Sequence, residues 1–230
     1  MQKLSRSKIE LFVDCPCCFY LDRRLGVKRP ASFPFNLNLA VDQLLKNEFD
    51  LYRVEQKPHP LMELFNLDAI PFSHPNIDIW RENFKGIEFL HQDTDFLITG
   101  AIDDLWQTPE GKLLIVDYKA TSKSAKINRT SDIYSPYKRQ MEIYQWLFTK
   151  NEFEVDSKGY FVYCNGIKNK PRFDRHLEFD VNIIPYTGNI DWIEPTLFDI
   201  YECIHQNKVP EPKKDCSYCK YATDAKPYIK

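Results

Sequence analysis

The segment from Phe96 to Lys119 limits the fold most strongly, because it predicts two paired strands that carry charged residues. Its first part, Phe96–Gln107, is rich in apolar and β-branched residues, and its second part, Lys112–Lys119, is apolar until its charged end. Residues 109–111 between them are Pro-Glu-Gly, which is typical of a turn. The sequence therefore predicts a β-hairpin. Gly86–His91 predicts a strand before it, so that three successive antiparallel strands form.

Two acids and a lysine meet in this predicted hairpin. Side chains alternate between the two faces of a strand, so Asp117 and Lys119 lie on one face and Tyr118 on the other. Asp103 lies on the facing strand, whereas its neighbour Asp104 is expected to face away. Carboxylates that gather repel one another, and a divalent cation such as magnesium or manganese relieves that repulsion. Such an ion would lower the pKa of a bound water and bind a phosphate oxygen, while Lys119 would orient the nucleophile or stabilise transition-state charge. The pattern therefore predicts phosphodiester hydrolysis.

Composition favours one folded domain without a general attraction to nucleic acid. At 230 residues the chain supports one sizeable core, and its net charge is −2 with a pI near 6.2. A local basic patch is predicted in the loop after Lys119, although such a loop is more often only solvated. Its cations are Lys123, Lys126 and Arg129. The chain lacks a long apolar run and a signal-peptide core, so a cytoplasmic protein is expected.

Seven cysteines in such a chain favour metal binding or buried thiols over disulfides. Cys15 and Cys18 form one Cys-x2-Cys pair, and Cys216 and Cys219 form another. Two such pairs complete a tetrahedral sulfur site. The site would make residues 1–30 and 205–230 a cysteine-ligated satellite of a single domain covering residues 1–230. The alternative is a set of unrelated thiols, because Cys17 is an extra cysteine. Two more, Cys164 and Cys203, are expected to be buried and inert.

Two segments show helical spacing of apolar residues. The first is Leu37–Tyr52, whose predicted inward residues are Leu37, Ala40, Val41, Leu44, Leu45 and Phe49. Asp42 lies beside that stripe, where it is either a polar edge of the helix or a ligand. The second runs from about Tyr134 to Lys150, with Gln140 and Tyr144 on one face. Its apolar side is expected to belong to the core.

Three motifs together resemble the PD-(D/E)XK nuclease superfamily, and specifically its RecB-like branch. They are Gly100-Ala-Ile-Asp103, Asp117-Tyr-Lys119 and Gln140-Met-Glu-Ile-Tyr144. The resemblance implies an α/β fold of the restriction-endonuclease-like type, in which helices flank a mixed β-sheet. It also implies that Asp103 and Asp117 bind magnesium or manganese and that Lys119 is catalytic.

Further roles follow from the same resemblance. The residue between the acid and the lysine gives its backbone carbonyl to the metal, which corresponds to Tyr118. Gln140 and Tyr144 correspond to the residues that position the substrate. Members often place a metal-binding histidine on an early helix, whereas this chain has Asp42 at the matching position. Asp42 keeps an ion ligand but adds negative charge to the site.

The cysteines resemble those of the iron–sulfur members, which include CRISPR-associated exonucleases and AddB-type repair nucleases. Those members use one early and three late cysteines, but no cysteine follows Cys219 here. Cys18 then replaces the missing late ligand. The resemblance favours a 4Fe-4S cluster, while zinc binds four thiolates at least as readily, and the sequence does not separate the two.

The resemblance implies a metal-dependent deoxyribonuclease, expected to be an exonuclease, that acts on DNA that is single-stranded or has free ends. The expected context is DNA repair, recombination or CRISPR adaptation, and any helicase or adaptation partner would be a separate chain. An alternative is an inactive nuclease fold that serves as a DNA-binding or scaffold protein, which the change to Asp42 favours. A plain zinc-binding structural module would leave the Asp117-Tyr-Lys119 motif unexplained.

Overall fold

A computed structural model describes residues 1–31 and 35–228 of the chain. The described helices are α1 (Arg6–Asp14), α2 (Pro16–Arg24), α3 (Asn36–Glu55), α4 (Pro60–Leu64), α5 (Ile77–Arg81), α6 (Ser135–Lys150), α7 (Ile193–His205) and α8 (Ser217–Ala225). The described strands are β1 (Gln2–Ser5), β2 (Ile70–Pro71), β3 (Ile87–His91), β4 (Phe96–Gly100), β5 (Asp104–Gln107), β6 (Leu113–Thr121), β7 (Lys158–Gly166) and β8 (Phe179–Thr187). The predicted α/β class is confirmed.

The larger sheet has five strands in the order β2-β5-β6-β7-β8. β6 and β7 are parallel, whereas the other neighbouring pairs are antiparallel, so the sheet is mixed as predicted. Phe49 of α3 packs in one core cluster with Val116 and Val162 on one face of this sheet. On the other face, a Cβ added to Gly159 would lie 2.5 Å from Sδ of Met141 in α6. Helices therefore flank both faces of the sheet. Because Gly159 has no side chain, α6 can pack closely against β7.

The predicted first strand of the hairpin, Phe96–Gln107, is divided into two strands. β4 belongs to a separate three-stranded sheet with the order β1-β4-β3, and β5 alone pairs with β6. The chain leaves the strand conformation between them, where the N–H of Ile102 donates to the carbonyl oxygen of Trp80 at 3.0 Å. The prediction of one continuous strand was wrong. The predicted Gly86–His91 strand exists as β3 and pairs with β4, the first half of the predicted hairpin strand, but this pairing belongs to the smaller sheet.

Helix α3 buries a narrower stripe than its sequence predicts. Leu45, Phe49 and Arg53, each four residues apart, are its buried residues. Three residues predicted to face inward are exposed: Leu37, Ala40 and Leu44. The helix therefore meets the sheet along one line of side chains, which the partly buried Val41 begins one turn before Leu45. Neither α3 nor any other described helix is long and apolar enough to cross a membrane.

The chain forms two compact units. The first comprises Met1–Phe33, Leu90–Ile98 and Asp191–Lys230, and the second comprises Pro34–Phe89 and Thr99–Ile190. The described parts of both predicted satellite segments lie in the first unit, which also includes α7, while residues 229 and 230 lie outside the described residues. The predicted single domain with its satellite stays a prediction.

Candidate functional site

The pairing of β5 with β6 brings two acids to facing positions. Asp104 pairs with Val116, and one step further along the same register Asp103 comes opposite Asp117. Oδ2 of Asp103 accepts a hydrogen bond from the backbone N–H of Tyr118 at 2.9 Å. The hairpin thus positions Asp103 through a backbone contact to the strand that carries the other acid.

Asp117 is a buried carboxylate next to a lysine. Its side chain is 0% exposed and forms an ion pair with Lys119, which lies on the same face of β6. Within the described part of the chain, neither carboxylate oxygen of Asp117 has a hydrogen-bond partner of good geometry. Burial and the neighbouring Asp103 raise the pKa of Asp117 to about 7, although Lys119 opposes that shift. The unused acceptor capacity of Asp117 suits a cation.

Lys119 is held from two sides. Its Nζ atom lies 4.6 Å from the ring centroid of Tyr137 on α6, a cation–π distance. Burial lowers the pKa of Lys119, but Asp117 and Asp103 outweigh it and raise the pKa above its ordinary value. The ammonium group is therefore charged and positioned between β6 and α6.

Asp42 approaches the same site from α3, together with Lys46, which no sequence motif marks as functional. Nζ of Lys46 lies 2.8 Å from Oδ2 of Asp42 and 3.7 Å from Oδ1 of Asp103. Burial, with Asp103 next, raises the pKa of Asp42 above its ordinary value. An acid and a lysine four residues apart are common on exposed helix faces, so this spacing gave no functional signal.

These carboxylates have the chemistry of a magnesium or manganese site. Both ions prefer oxygen ligands, which Asp42, Asp103 and Asp117 supply, and Asp117 has unused acceptor oxygens. In residues 1–31 and 35–228 these acids do not gather as a group with all ligand atoms within 4.8 Å, as the four cysteines do. The ammonium groups of Lys46 and Lys119 pair with them instead. The donor set fits the ion. The two ammonium groups balance part of the negative charge of the three carboxylates.

Gln140 and Tyr144 lie one turn apart on α6, the helix that packs on the Asp117 face of β6. Nε2 of Gln140 donates to the Tyr144 hydroxyl at 3.2 Å, and both residues are buried. A Cβ added to Gly100 would lie 2.7 Å from Cε1 of Tyr144, so this glycine lets the aromatic ring approach the end of β4. Tyr144 also contributes to the raised pKa of Lys119, after Asp117 and Asp103. The Gln140–Tyr144 pair therefore borders the candidate site, and its role in positioning substrate stays a prediction.

Asp104 has a different environment from its neighbour Asp103, as expected. Its side chain is fully buried and forms ion pairs with Arg53 and Arg81, the latter at 2.7 Å. Oδ2 of Asp104 also accepts a hydrogen bond from the Tyr118 hydroxyl at 2.6 Å. Arg81 in turn donates from Nε to the backbone carbonyl of Asp103 at 3.1 Å. This buried network anchors the backbone that carries the candidate ligand Asp103. No sequence pattern predicts the network.

The predicted basic loop follows β6 directly. Its three predicted cations are exposed: Lys123, Lys126 and Arg129. The side chain of Asn165 on β7 fixes the start of the loop, accepting from the Lys123 N–H at 2.7 Å and donating to the Lys123 carbonyl at 3.1 Å. Lys168 donates to the backbone carbonyl of Ser122 at 3.1 Å, which adds a further cation beside the loop. A role of this loop in nucleic-acid binding stays a prediction.

The four predicted cysteine ligands come together. The Sγ atoms of Cys15, Cys18, Cys216 and Cys219 all lie within 4.8 Å of one another. All are free thiols, and Cys219 is the one that is half-buried rather than buried. Two other cysteines expected to be buried, Cys164 and Cys203, are so. The predicted convergence of the two pairs is confirmed.

Comparison with known proteins identifies the family. A family model described as the PD-(D/E)XK nuclease superfamily matches residues 37–223, which contain the hairpin and α6. No curated protein matches the chain. A solved crystal structure of a protein named SSO0001 has 16% sequence identity and a TM-score of 0.47, covering 100% of this chain and 88% of its own. Because the family model spans well over half of the sequence, the chain belongs to the PD-(D/E)XK nuclease superfamily.

Proposed function

We propose that this protein is a divalent-metal-dependent deoxyribonuclease. The observation that carries the proposal is the buried Asp117 carboxylate, which lies opposite Asp103 and beside Lys119 with unused acceptor oxygens. A buried carboxylate that pairs with one lysine and accepts no hydrogen bond of good geometry is costly for stability alone. A role of Asp117 in binding a metal ion accounts for this loss of stability.

The ligand oxygens for magnesium or manganese would come from Asp103, Asp117 and Asp42, with the backbone carbonyl of Tyr118 as a further donor. A bound ion of this kind would lower the pKa of a water molecule and neutralise charge on a phosphate. The protein holds the first two acids in place by the strand register and by the Tyr118 N–H bond to Asp103. Arg81 donates to the backbone carbonyl of Asp103 and so fixes the backbone of this ligand.

Lys119 would stabilise negative charge on the phosphate in the transition state. Its ammonium group is held between Asp117 and the Tyr137 ring, so its position is fixed before substrate binds. A pre-positioned cation in a site that excludes water lowers the barrier without reorganisation during the reaction. Lys119 therefore acts as an electrostatic catalyst whose charge the neighbouring acids maintain.

DNA is the proposed substrate, with Gln140 and Tyr144 positioning the strand and the basic loop binding its phosphates. The loop leaves β6 immediately after the catalytic lysine, so a phosphate backbone passing along it would reach the site. The resemblance to the RecB-like branch supports exonuclease action on strands with free ends, in repair, recombination or CRISPR adaptation.

The test is cleavage of labelled single-stranded and duplex DNA with magnesium or manganese. Asp117→Asn and Lys119→Met should each abolish cleavage while the far-ultraviolet circular dichroism spectrum stays unchanged. Matched controls in the turn of the same hairpin, Glu110→Gln and Lys112→Met, change exposed charges and should cleave at the wild-type rate. Wild-type protein that binds DNA but cleaves it with neither ion would instead favour an inactive scaffold.

A further inference from the structure

The four clustered sulfurs have the spacing of ligands around a single ion. Cys18 Sγ lies 3.4 Å from Cys219 Sγ and 3.6 Å from Cys216 Sγ, and Cys15 Sγ lies 3.8 Å from Cys219 Sγ. Four sulfurs at about 2.3 Å from one tetrahedral zinc ion are about 3.8 Å apart. The observed separations agree with that value.

An iron–sulfur cluster requires a wider arrangement of the same ligands. In a 4Fe-4S cluster each cysteine binds a different iron, and the irons with their bridging sulfides lie between the thiolates. Sulfurs that all lie within 4.8 Å of one another enclose one ion and not such a cluster. We propose that Cys15, Cys18, Cys216 and Cys219 bind one structural zinc ion, in place of an iron–sulfur cluster.

Both cysteine pairs occupy equivalent positions at helix N-termini. Cys15 is the N-cap residue of α2 and Cys216 is the N-cap residue of α8, and their partners Cys18 and Cys219 follow three residues later. The first turn of a helix presents unpaired N–H groups and the positive end of the helix dipole, which favour thiolates. Two helix ends therefore supply four ligands and close the coordination of one ion.

Arg29 supplies a charge that a four-thiolate zinc site lacks. Zinc with four thiolates carries a net charge of −2, and Nη2 of Arg29 donates to Cys216 Sγ at 3.4 Å. Nη1 donates to Oδ2 of Asp14 at 2.5 Å, and the guanidinium carbon lies 4.5 Å from the Tyr218 ring centroid. These contacts fix the guanidinium beside the sulfurs. Donors to the ligand atoms of this kind strengthen metal sites.

The zinc ion would have a structural role apart from the proposed nuclease chemistry. It would join residues 15–18 to residues 216–219, which are separated by almost the whole described chain. Because only the folded chain brings these four sulfurs together, the free energy of zinc binding would add to the free energy of folding. With its four positions filled by sulfur, the ion has no open position for substrate.

The first experiment measures metal and acid-labile sulfide in the full-length protein purified without chelators. We expect one zinc ion per chain, no sulfide and a colourless sample, also in Asp117→Asn, so the result does not depend on nuclease activity. Iron with stoichiometric sulfide would overturn the proposal. One iron ion without sulfide would overturn the zinc assignment.

The second experiment follows zinc release to a chromogenic chelator. Cys219→Ser should release zinc at least about tenfold faster than wild type, because it removes a thiolate ligand. Cys219→His, at the half-buried position, should keep one zinc ion per chain because imidazole is also a zinc ligand. Cys203→Ser is the control outside the cluster and should release zinc at the wild-type rate. Equal release from Cys219→Ser and wild type would overturn the proposal, as would loss of zinc from a folded Cys219→His.

Discussion

The ammonium group of Lys46 lies 2.8 Å from Oδ2 of Asp42, one turn earlier on α3. The same group is 3.7 Å from Oδ1 of Asp103, so it pairs with two carboxylates proposed to bind a divalent ion. A cation fixed at this place competes with the ion for those oxygens. Lys46→Met should therefore bind manganese more tightly, by about fivefold if ~1 kcal/mol of competition is removed.

Calorimetric titration of manganese without DNA measures this effect separately from turnover. Lys57→Met is a suitable control, because it removes an exposed lysine near the end of the same helix and should leave manganese affinity unchanged. If Lys46→Met bound manganese as wild type does, but needed more DNA for half-maximal cleavage, Lys46 would be a phosphate ligand and the competition model would be wrong.

Asp103 and Asp104 should respond oppositely to loss of charge. Asp104→Asn leaves the buried guanidinium groups of Arg53 and Arg81 without their shared carboxylate, so the free energy of unfolding should fall by about 3–5 kcal/mol. Asp103→Asn keeps an acceptor for the Tyr118 N–H and removes repulsion with Asp117, so stability should be retained while cleavage is lost. Urea unfolding of both variants provides the comparison. Similar losses of stability in both would contradict these separate roles.

The contrast between these neighbouring acids shows which parts of the site a sequence can predict. Asp103, Asp117 and Lys119 belong to one local hairpin, so strand alternation and the turn are enough to bring them together. Asp104 depends on Arg53 from α3 and Arg81 from α5, whose positions follow only from tertiary packing. No local pattern separates a catalytic acid from a structural one at adjacent positions.

Other differences between the predicted and the observed structure also arise from tertiary packing. Phe96–Gln107 has strand-type residues throughout, yet its division into β4 and β5 depends on which sheet each half joins. The spacing of the cysteines predicts that they converge, but the choice between one ion and a cluster depends on distances between sulfurs. Those distances are set by the packing of α2 against α8, which the spacing of the cysteines in the sequence does not predict.

His59 should make the stability of the fold depend on pH. Its Nδ1 accepts from the Leu61 N–H at 3.0 Å, and Nε2 lies 3.0 Å from Oε1 of Glu48, so the neutral ring is the form that satisfies both contacts. Burial lowers the pKa of His59, although Glu48 opposes the shift. As pH falls through the ordinary pKa of histidine, the unfolded chain takes up a proton before the folded chain does. The free energy of unfolding should therefore decrease below about pH 6.5, by at most ~1.4 kcal/mol per pH unit from this group.

His59→Asn separates this effect from other titrations. Asparagine keeps an N-cap acceptor for the start of α4 but does not titrate, so the variant should lose less stability than wild type between about pH 7 and about pH 5. Urea unfolding at both pH values gives the comparison. Parallel pH dependence in the two proteins would show that other groups cause it.

The basic loop should control how strongly DNA binding depends on salt. Lys123 and Lys126 are exposed and follow the catalytic lysine on the same loop, so we expect each to contact a phosphate. Each lost contact should reduce the slope of log affinity against log salt by about 0.7 for a single strand. The double variant Lys123→Gln, Lys126→Gln should therefore lower the slope by about 1.4. Fluorescence anisotropy in an Asp117→Asn background measures binding without cleavage, and Lys208→Gln is the exposed control. An unchanged slope in the double variant would place the DNA away from this loop.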